Sequence, residues 1–170
     1  MKITAKKMDL NREQALSPVS DIWSRITASR FKLDPAPLEN QPSEYVRNLP
    51  KKHGAVHEVS VKAAHDGQSI YLRVEWADSK KDLAPTDSDP FPDAAAVMFP
   101  GQEGLPSVFE NDPISMGADD IPVNAWLWRA DFGEKAKDIR ARGFGTSRRL
   151  AESAIAAKGE WKNGRWQVVF

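Results

Sequence analysis

The sequence has 170 residues, which is enough for one domain with a full hydrophobic core. It carries 24 basic and 24 acidic side chains, so it lacks the basic excess that binding to nucleic acid requires. Because cysteine is absent, the chain has no disulfides, thiolate metal sites, iron–sulfur clusters or covalently attached c-type haem.

No apolar run approaches the roughly 20 residues needed to cross a bilayer. Residues 1–10 are basic, but no apolar segment follows that would make them a signal peptide. The sequence ends at Phe170, inside a predicted strand, and we expect the natural protein to continue beyond it.

The first clear elements are β-strands separated by loops. Residues 34–52 are rich in proline and are predicted to form a long loop. Two runs in which apolar and polar residues alternate, 59–63 and 70–76, flank Asp66-Gly67 and predict a hairpin. The short apolar run 94–99 predicts a buried strand that ends at Pro100-Gly101.

A second loop, residues 102–122, holds Met116 and leads into a predicted strand from Val123 to Asp131. Alternation along this strand places Trp126 and Trp128 on one face and Arg129 on the other. Residues 135–142 and 148–157 could form short helices, and Asn163-Gly164 predicts the turn of a final hairpin. The strands and turns, without repeated strand–helix alternation, predict a mostly β protein, an antiparallel β-sandwich with long loops and a few short helices.

Met116 is the most informative candidate for a ligand. A thioether can bind haem iron or copper and favours the reduced metal, although a methionine can also simply fill a gap under a loop. Trp126 and Trp128 could form a pocket wall beside this loop or pack in the core. A locally basic stretch could pair with haem propionates or with an acidic partner, or it could form solvated helix faces. It consists of Lys135, Lys137, Arg140, Arg142, Arg148 and Arg149.

Two other candidate metal sites are weaker. His53 and His57 have the spacing of ligands on a helix, but Gly54 and nearby β-branched residues disfavour a helix there. The aspartates of residues 82–93 could offer oxygen ligands to calcium, but they lack the glycine and the terminal glutamate of an EF-hand loop. A solvated acidic loop is the simpler interpretation.

Several motifs occur in an order that resembles a known family, the haem-b-binding gamma subunits of ethylbenzene dehydrogenase, dimethylsulfide dehydrogenase and related enzymes. The resemblance covers about residues 56–170. It is carried by Trp76-Ala-Asp78, Phe91-Pro-Asp93-Ala, Met116-Gly117, Val123-Asn-Ala-Trp126-Leu-Trp128-Arg129, Gly143-x-Gly145-Thr146 and Gly164-x-Trp166-x-Val-Val-Phe170.

The resemblance implies a single haem-binding β-sandwich domain over residues 1–170, truncated at its C-terminal end. It implies one haem b, with Met116 as an axial ligand and Trp126, Trp128 and Arg129 as candidate cofactor-binding residues. The second axial ligand of the family is a lysine in a segment after residues 168–170, and it has no matching position in this sequence.

The resemblance further implies a non-catalytic electron-transfer subunit of a periplasmic molybdenum oxidoreductase. Its partners would be an iron–sulfur beta subunit and a molybdopterin-containing alpha subunit. The alternative hypothesis is a β-sandwich module that binds carbohydrate or another ligand through exposed tryptophans and has no redox function.

Overall fold

The structure is a computed structural model that describes residues 3–35, 44–48, 54–83, 92–101, 116–143, 145–151 and 155–170. Within these residues the chain is mostly strand. The strands, in chain order, are β1 (Lys6–Lys7), β2 (Ser29–Lys32), β3 (Glu58–His65), β4 (Ile70–Ala77), β5 (Ala94–Pro100), β6 (Val123–Arg129), β7 (Ala136–Ala141), β8 (Arg148–Arg149), β9 (Lys158–Lys162) and β10 (Arg165–Val169). The helices are α1 (Arg12–Leu16), α2 (Glu44–Asn48) and two 3₁₀ helices, Asp21–Arg25 and Ala130–Phe132.

The first sheet is built around the two predicted hairpins. Its strands run in the order β3, β4, β10 and β9, and β1 and β2 both pair with the outer edge of β3. Asp66 closes the β3–β4 turn by accepting hydrogen bonds from the backbone N–H groups of Gln68 and Ser69. Asn163 and Gly164 have φ angles of 53° and 72°, which a two-residue turn between twisted strands requires. Both predicted hairpins are therefore confirmed.

The second sheet has the order β5-β6-β7-β8, with antiparallel neighbours throughout. The helices predicted within residues 135–142 and 148–157 are wrong for the described residues, which leave out residues 152–154. Residues 136–141 form β7, whose backbone pairs with β6 from Trp128 to Val123, and Arg148–Arg149 is a two-residue edge strand. Pairing with β6 satisfies the backbone of β7, a long-range effect that its local, highly charged sequence does not reveal.

The predicted loop of residues 34–52 contains the short helix α2, so that prediction is wrong at residues 44–48. The rest of residues 36–53 lies outside the described residues.

The two sheets pack face to face around tryptophan side chains, which confirms the β-sandwich. Trp128 of the second sheet contacts Trp166 of the first edge-on, with ring centroids 5.0 Å apart, and Trp76 stacks on Trp166 at 6.3 Å. Gly159 in β9 makes this packing possible. A Cβ on Gly159 would lie 2.1 Å from the ring of Trp128.

The other face of the first sheet is covered by the N-terminal segment. Trp23, Ala15 and Ile26 are buried there against Tyr71 and Val169. The first sheet is therefore buried on both faces, and only one of them faces the second sheet.

Candidate functional site

Met116 is half-buried and begins a tight loop that leads into β6. The Gly143 N–H, just past the end of β7, donates a 3.0 Å hydrogen bond to the Met116 carbonyl. Gly117 has a φ angle of +85°, and a Cβ there would lie 2.7 Å from the Ile121 carbonyl oxygen and 3.2 Å from that of Ala141. Only glycine therefore fits beside Met116, and the Met-Gly motif fixes this residue against the ends of β6 and β7.

The Gly-x-Gly-Thr motif forms the turn that holds the Met116 loop. Gly143 has a φ angle of 122°, and its carbonyl accepts a 2.7 Å hydrogen bond from the Thr146 hydroxyl. The same hydroxyl accepts a hydrogen bond from the Arg142 N–H at 2.8 Å. Gly143 therefore bonds to Thr146 and also holds the backbone of Met116.

Trp126 and Trp128 share the face of β6 that is turned toward the first sheet, but their surroundings differ. Trp126 is half-buried, and its ring centroid lies 4.6 Å from that of Phe99 in β5. It lines a cavity of about 350 Å³ at the end of the sandwich, together with Arg12, Leu16, Ser69, Ile70, Tyr71, Ile155, Ala156 and Phe170. Trp126 therefore lines a cavity, and its role as a wall for a bound cofactor stays a prediction.

Trp128 lies deeper in the interface between the sheets. It is 2% exposed, and its indole N–H donates to the Gly133 carbonyl at 3.1 Å. The structure therefore places Trp128 in the core behind Trp126. Trp128 does not line the cavity, and Met116 is not among its described lining residues either.

Arg129 lies on the opposite face of β6 from the two tryptophans. Its guanidinium donates two hydrogen bonds to the carboxylate of Asp131, at 2.9 and 2.7 Å, and sits over the ring of Phe132. The structure does not bring Arg129 together with Met116 and Trp126, because alternation along a strand sends neighbouring side chains to opposite faces.

One row of residues crosses the second sheet next to Trp126, on the same face. In this row Phe99 lies opposite Asn124, Asn124 opposite Arg140, and Arg140 opposite Arg148. The Asn124 amide donates to the Asp138 carboxylate and to the Ile139 carbonyl. Sequence reasoning did not connect these residues. No local signal marks the β7 part of this row, because apolar and polar residues do not alternate regularly along residues 136–141.

The aspartates that were weighed as calcium ligands have structural roles where they are described. The Asp93 carboxylate accepts 2.7 Å hydrogen bonds from the Trp166 indole and from the Asp82 N–H. Burial, together with the nearby carboxylate of Asp78, raises the pKa of Asp93. Asp87 and Asp89 lie outside the described residues.

The other metal-site hypotheses gain no support. Among the described residues, no group of three or more histidine, aspartate or glutamate side chains could hold a metal ion. His57 is exposed, and His53 lies outside the described residues. None of the described helices is long and apolar enough to cross a membrane.

The tryptophans do not form the exposed platform that the carbohydrate hypothesis needs. Trp76, Trp128 and Trp166 are buried in the core, and the Trp161 indole is tied to the Asp78 carbonyl by a 3.0 Å hydrogen bond. Trp126 faces a cavity between the sheets. This arrangement suits a flat apolar ligand inserted at the end of the sandwich better than a sugar on an open surface.

The side chains at this end of the second sheet are of the kinds that can hold a haem: a thioether, aromatic rings and arginines. They are the half-buried Met116, the contacting rings of Phe99 and Trp126, and Arg140 and Arg148 of the neighbouring row. Fold and site together define a β-sandwich protein with a methionine-bearing loop at one end of its second sheet.

Comparison with known proteins identifies the family. The sequence model for ethylbenzene dehydrogenase matches residues 20–152. A protein of Haloferax mediterranei, provisionally named a respiratory nitrate reductase heme subunit, is 32% identical over 161 residues, which cover 94% of this chain and 52% of that protein. The chlorate reductase subunit gamma of Ideonella dechloratans is 28% identical over 116 residues, which cover 68% of this chain and 45% of that protein.

The chain belongs to the ethylbenzene dehydrogenase family. It spans about half the length of the two curated relatives.

Proposed function

We propose that this chain is an electron-transfer subunit that binds one b-type haem within a molybdenum oxidoreductase complex, and that its residues form a single haem-binding domain. Two findings support the proposal. The chain belongs to the ethylbenzene dehydrogenase family, and one of its relatives is named as a heme subunit. The observation that carries it is the hydrogen bond from the Gly143 N–H to the Met116 carbonyl, because it fixes the backbone of the proposed ligand beside the end of β7.

In the proposed site Met116 would supply its thioether to the haem iron, and Trp126 would pack against the porphyrin. Trp128 supports Trp126 from the core, where it is locked against Trp166. Arg129 is not part of the proposed site, since its guanidinium is paired with Asp131 on the other face of β6. A bound haem would supply a one-electron couple between its ferric and ferrous states, and a thioether ligand raises the reduction potential of such a couple.

The proposal includes partners and a location. The chlorate reductase relative is named as a gamma subunit, and a gamma subunit implies further subunits. We infer that this chain associates with an iron–sulfur beta subunit and a molybdopterin-containing alpha subunit in the periplasm, as its sequence resemblance implies. Cell fractionation followed by affinity purification of the full-length protein tests both points, and a protein retained in the cytoplasm without partners would contradict them.

Haem reconstitution of the full-length protein tests the cofactor and its ligand. Met116→Ala removes the thioether, so we expect an altered absorption spectrum and a lower reduction potential. Met98→Ala is the matched control, because Met98 is also half-buried but lies on β5 opposite Ala125, on the sheet face turned away from Trp126.

Met98→Ala should leave the spectrum as in the wild type. A wild-type protein that binds no haem refutes the proposed function. A normal spectrum in Met116→Ala refutes only the role of Met116 as ligand.

A further inference from the structure

We propose that Arg140 and Arg148 bind the two propionate carboxylates of the haem. This assignment rests on the proposed function and adds residues that anchor the polar edge of the cofactor. It starts from two neighbouring strands, β7 and β8, that carry arginines directly opposite each other.

The pairing of Arg140 with Arg148 is unfavourable for the protein alone. Like charges directly opposite on antiparallel strands repel, because their side chains leave the same face of the sheet at close range. Both residues are exposed, and within the described segments neither guanidinium is joined to a carboxylate in an ion pair. An anion bound between the two guanidinium groups would turn this repulsion into attraction.

The position of the pair fits a haem whose ring lies against Trp126. The row that contains Arg140 and Arg148 begins at Phe99, whose ring contacts Trp126. Four strands at about 4.8 Å spacing make this row roughly 14 Å long. It therefore has an aromatic end and a cationic end, which match the apolar ring and the carboxylate edge of a haem.

The immediate surroundings leave the two arginines available. The carboxylate on β7 is that of Asp138, and it already accepts a hydrogen bond from the Asn124 amide. Gly143, which anchors Met116, follows Arg140 by three residues on the same strand end. The residue that holds Met116 and the two proposed carboxylate anchors therefore lie close together in the sequence, within residues 140–148.

Arginine is suited to this role because its planar guanidinium can donate two parallel hydrogen bonds to a carboxylate. Arg149 provides an internal comparison. It is adjacent to Arg148 and equally exposed, but it lies opposite Ile139 and so projects from the other face of the sheet.

Haem titration of the full-length protein tests the assignment through binding affinity and needs no enzyme activity. Arg140→Gln and Arg148→Gln should each weaken haem binding roughly tenfold, the effect of losing one partly exposed charge-assisted pair. Arg149→Gln removes the same charge from the opposite face and should leave the affinity within about twofold of the wild type.

Haem dimethyl ester, which lacks the propionate charges, separates an electrostatic role from a folding defect. The wild type should bind the ester about as weakly as a double variant, with both Arg140→Gln and Arg148→Gln, binds haem. Arg140→Gln and Arg148→Gln should then bind the ester as well as the wild type does.

Three results would overturn the assignment. If the wild type binds no haem, the proposed function fails and this assignment fails with it. If the wild type binds haem and both variants bind it equally well, the assignment alone fails. It also fails if the variants lose affinity for haem and ester to the same extent, because the arginines would then act on the fold.

Discussion

The Met116 loop gives the sharpest test of how this fold positions a ligand, and Gly117→Ala is the perturbation. Alanine at a φ angle of +85° would adopt a backbone conformation that costs about 1–3 kcal/mol for a residue with a side chain. Its Cβ would also lie 2.7 Å from the Ile121 carbonyl oxygen, a contact with backbone that cannot rotate away. Overpacking of this kind adds about 1–3 kcal/mol, so we expect a total loss of about 2–6 kcal/mol.

Gly145→Ala isolates the steric part of this effect. Gly145 has a φ angle of +78°, but no described atom lies within 4 Å of the position of its Cβ. Gly145→Ala should therefore lose only the free energy that the left-handed backbone conformation costs. Gly117→Ala should be less stable than Gly145→Ala by about 1–3 kcal/mol, the cost of the steric contact. Urea unfolding of the haem-free protein measures this difference, provided that the m-values agree.

The same pair of variants connects the loop to the proposed site. Gly117→Ala should shift the spectrum of the haem-loaded protein toward that of Met116→Ala, while Gly145→Ala should change it less. Equal destabilisation by the two substitutions, or a Met116 loop that tolerates alanine at residue 117 without a spectral change, would refute the close-approach argument.

Two further predictions concern the core. Burial raises the pKa of Asp93 above its ordinary value of 3.8, so the folded state binds more protons than the unfolded state. The free energy of unfolding should therefore fall as the pH rises from 3.8 through the raised pKa. Asp93→Asn keeps an oxygen acceptor for the Trp166 indole and should remove this part of the pH dependence. If the urea midpoint varies with pH in the same way in the wild type and in Asp93→Asn, the prediction is contradicted. Gly159→Ala should destabilise by about 1–3 kcal/mol through its clash with Trp128, and the smaller ring of Trp128→Phe should relieve part of that loss. A double-mutant cycle measures the coupling, and strictly additive effects would show that the contact does not control the packing.

The strands and turns were largely predictable from local sequence. Alternation around Asp66-Gly67 predicted one hairpin, and Asn163-Gly164 predicted the other, because their left-handed backbone suits few residues. The β7 strand was not predictable in this way. Its sequence is charged and local patterns do not separate it from a helix, so only its pairing with β6 decides its conformation.

The candidate site was only partly predictable. Sequence motifs indicated Met116 and the two tryptophans, and alternation alone placed Trp126 and Trp128 on one face. Sequence could not show that Trp128 is buried against Trp166, or that the Arg129 guanidinium forms an ion pair with Asp131. It also could not show which arginines share a face of the second sheet with Trp126, because that depends on strand register.

The sequence by itself determined the mostly β class and the two hairpin turns, since each follows from local backbone preference and side-chain alternation. The Met-Gly motif was singled out by its resemblance to the family. Tertiary structure alone decided which residues meet at the end of the sandwich. Gly143 reaches Met116, and Arg140 faces Arg148, only because β7 aligns with β6 on one side and β8 on the other. Register is a long-range property, and a shift of one residue would turn every side chain of the row to the opposite face.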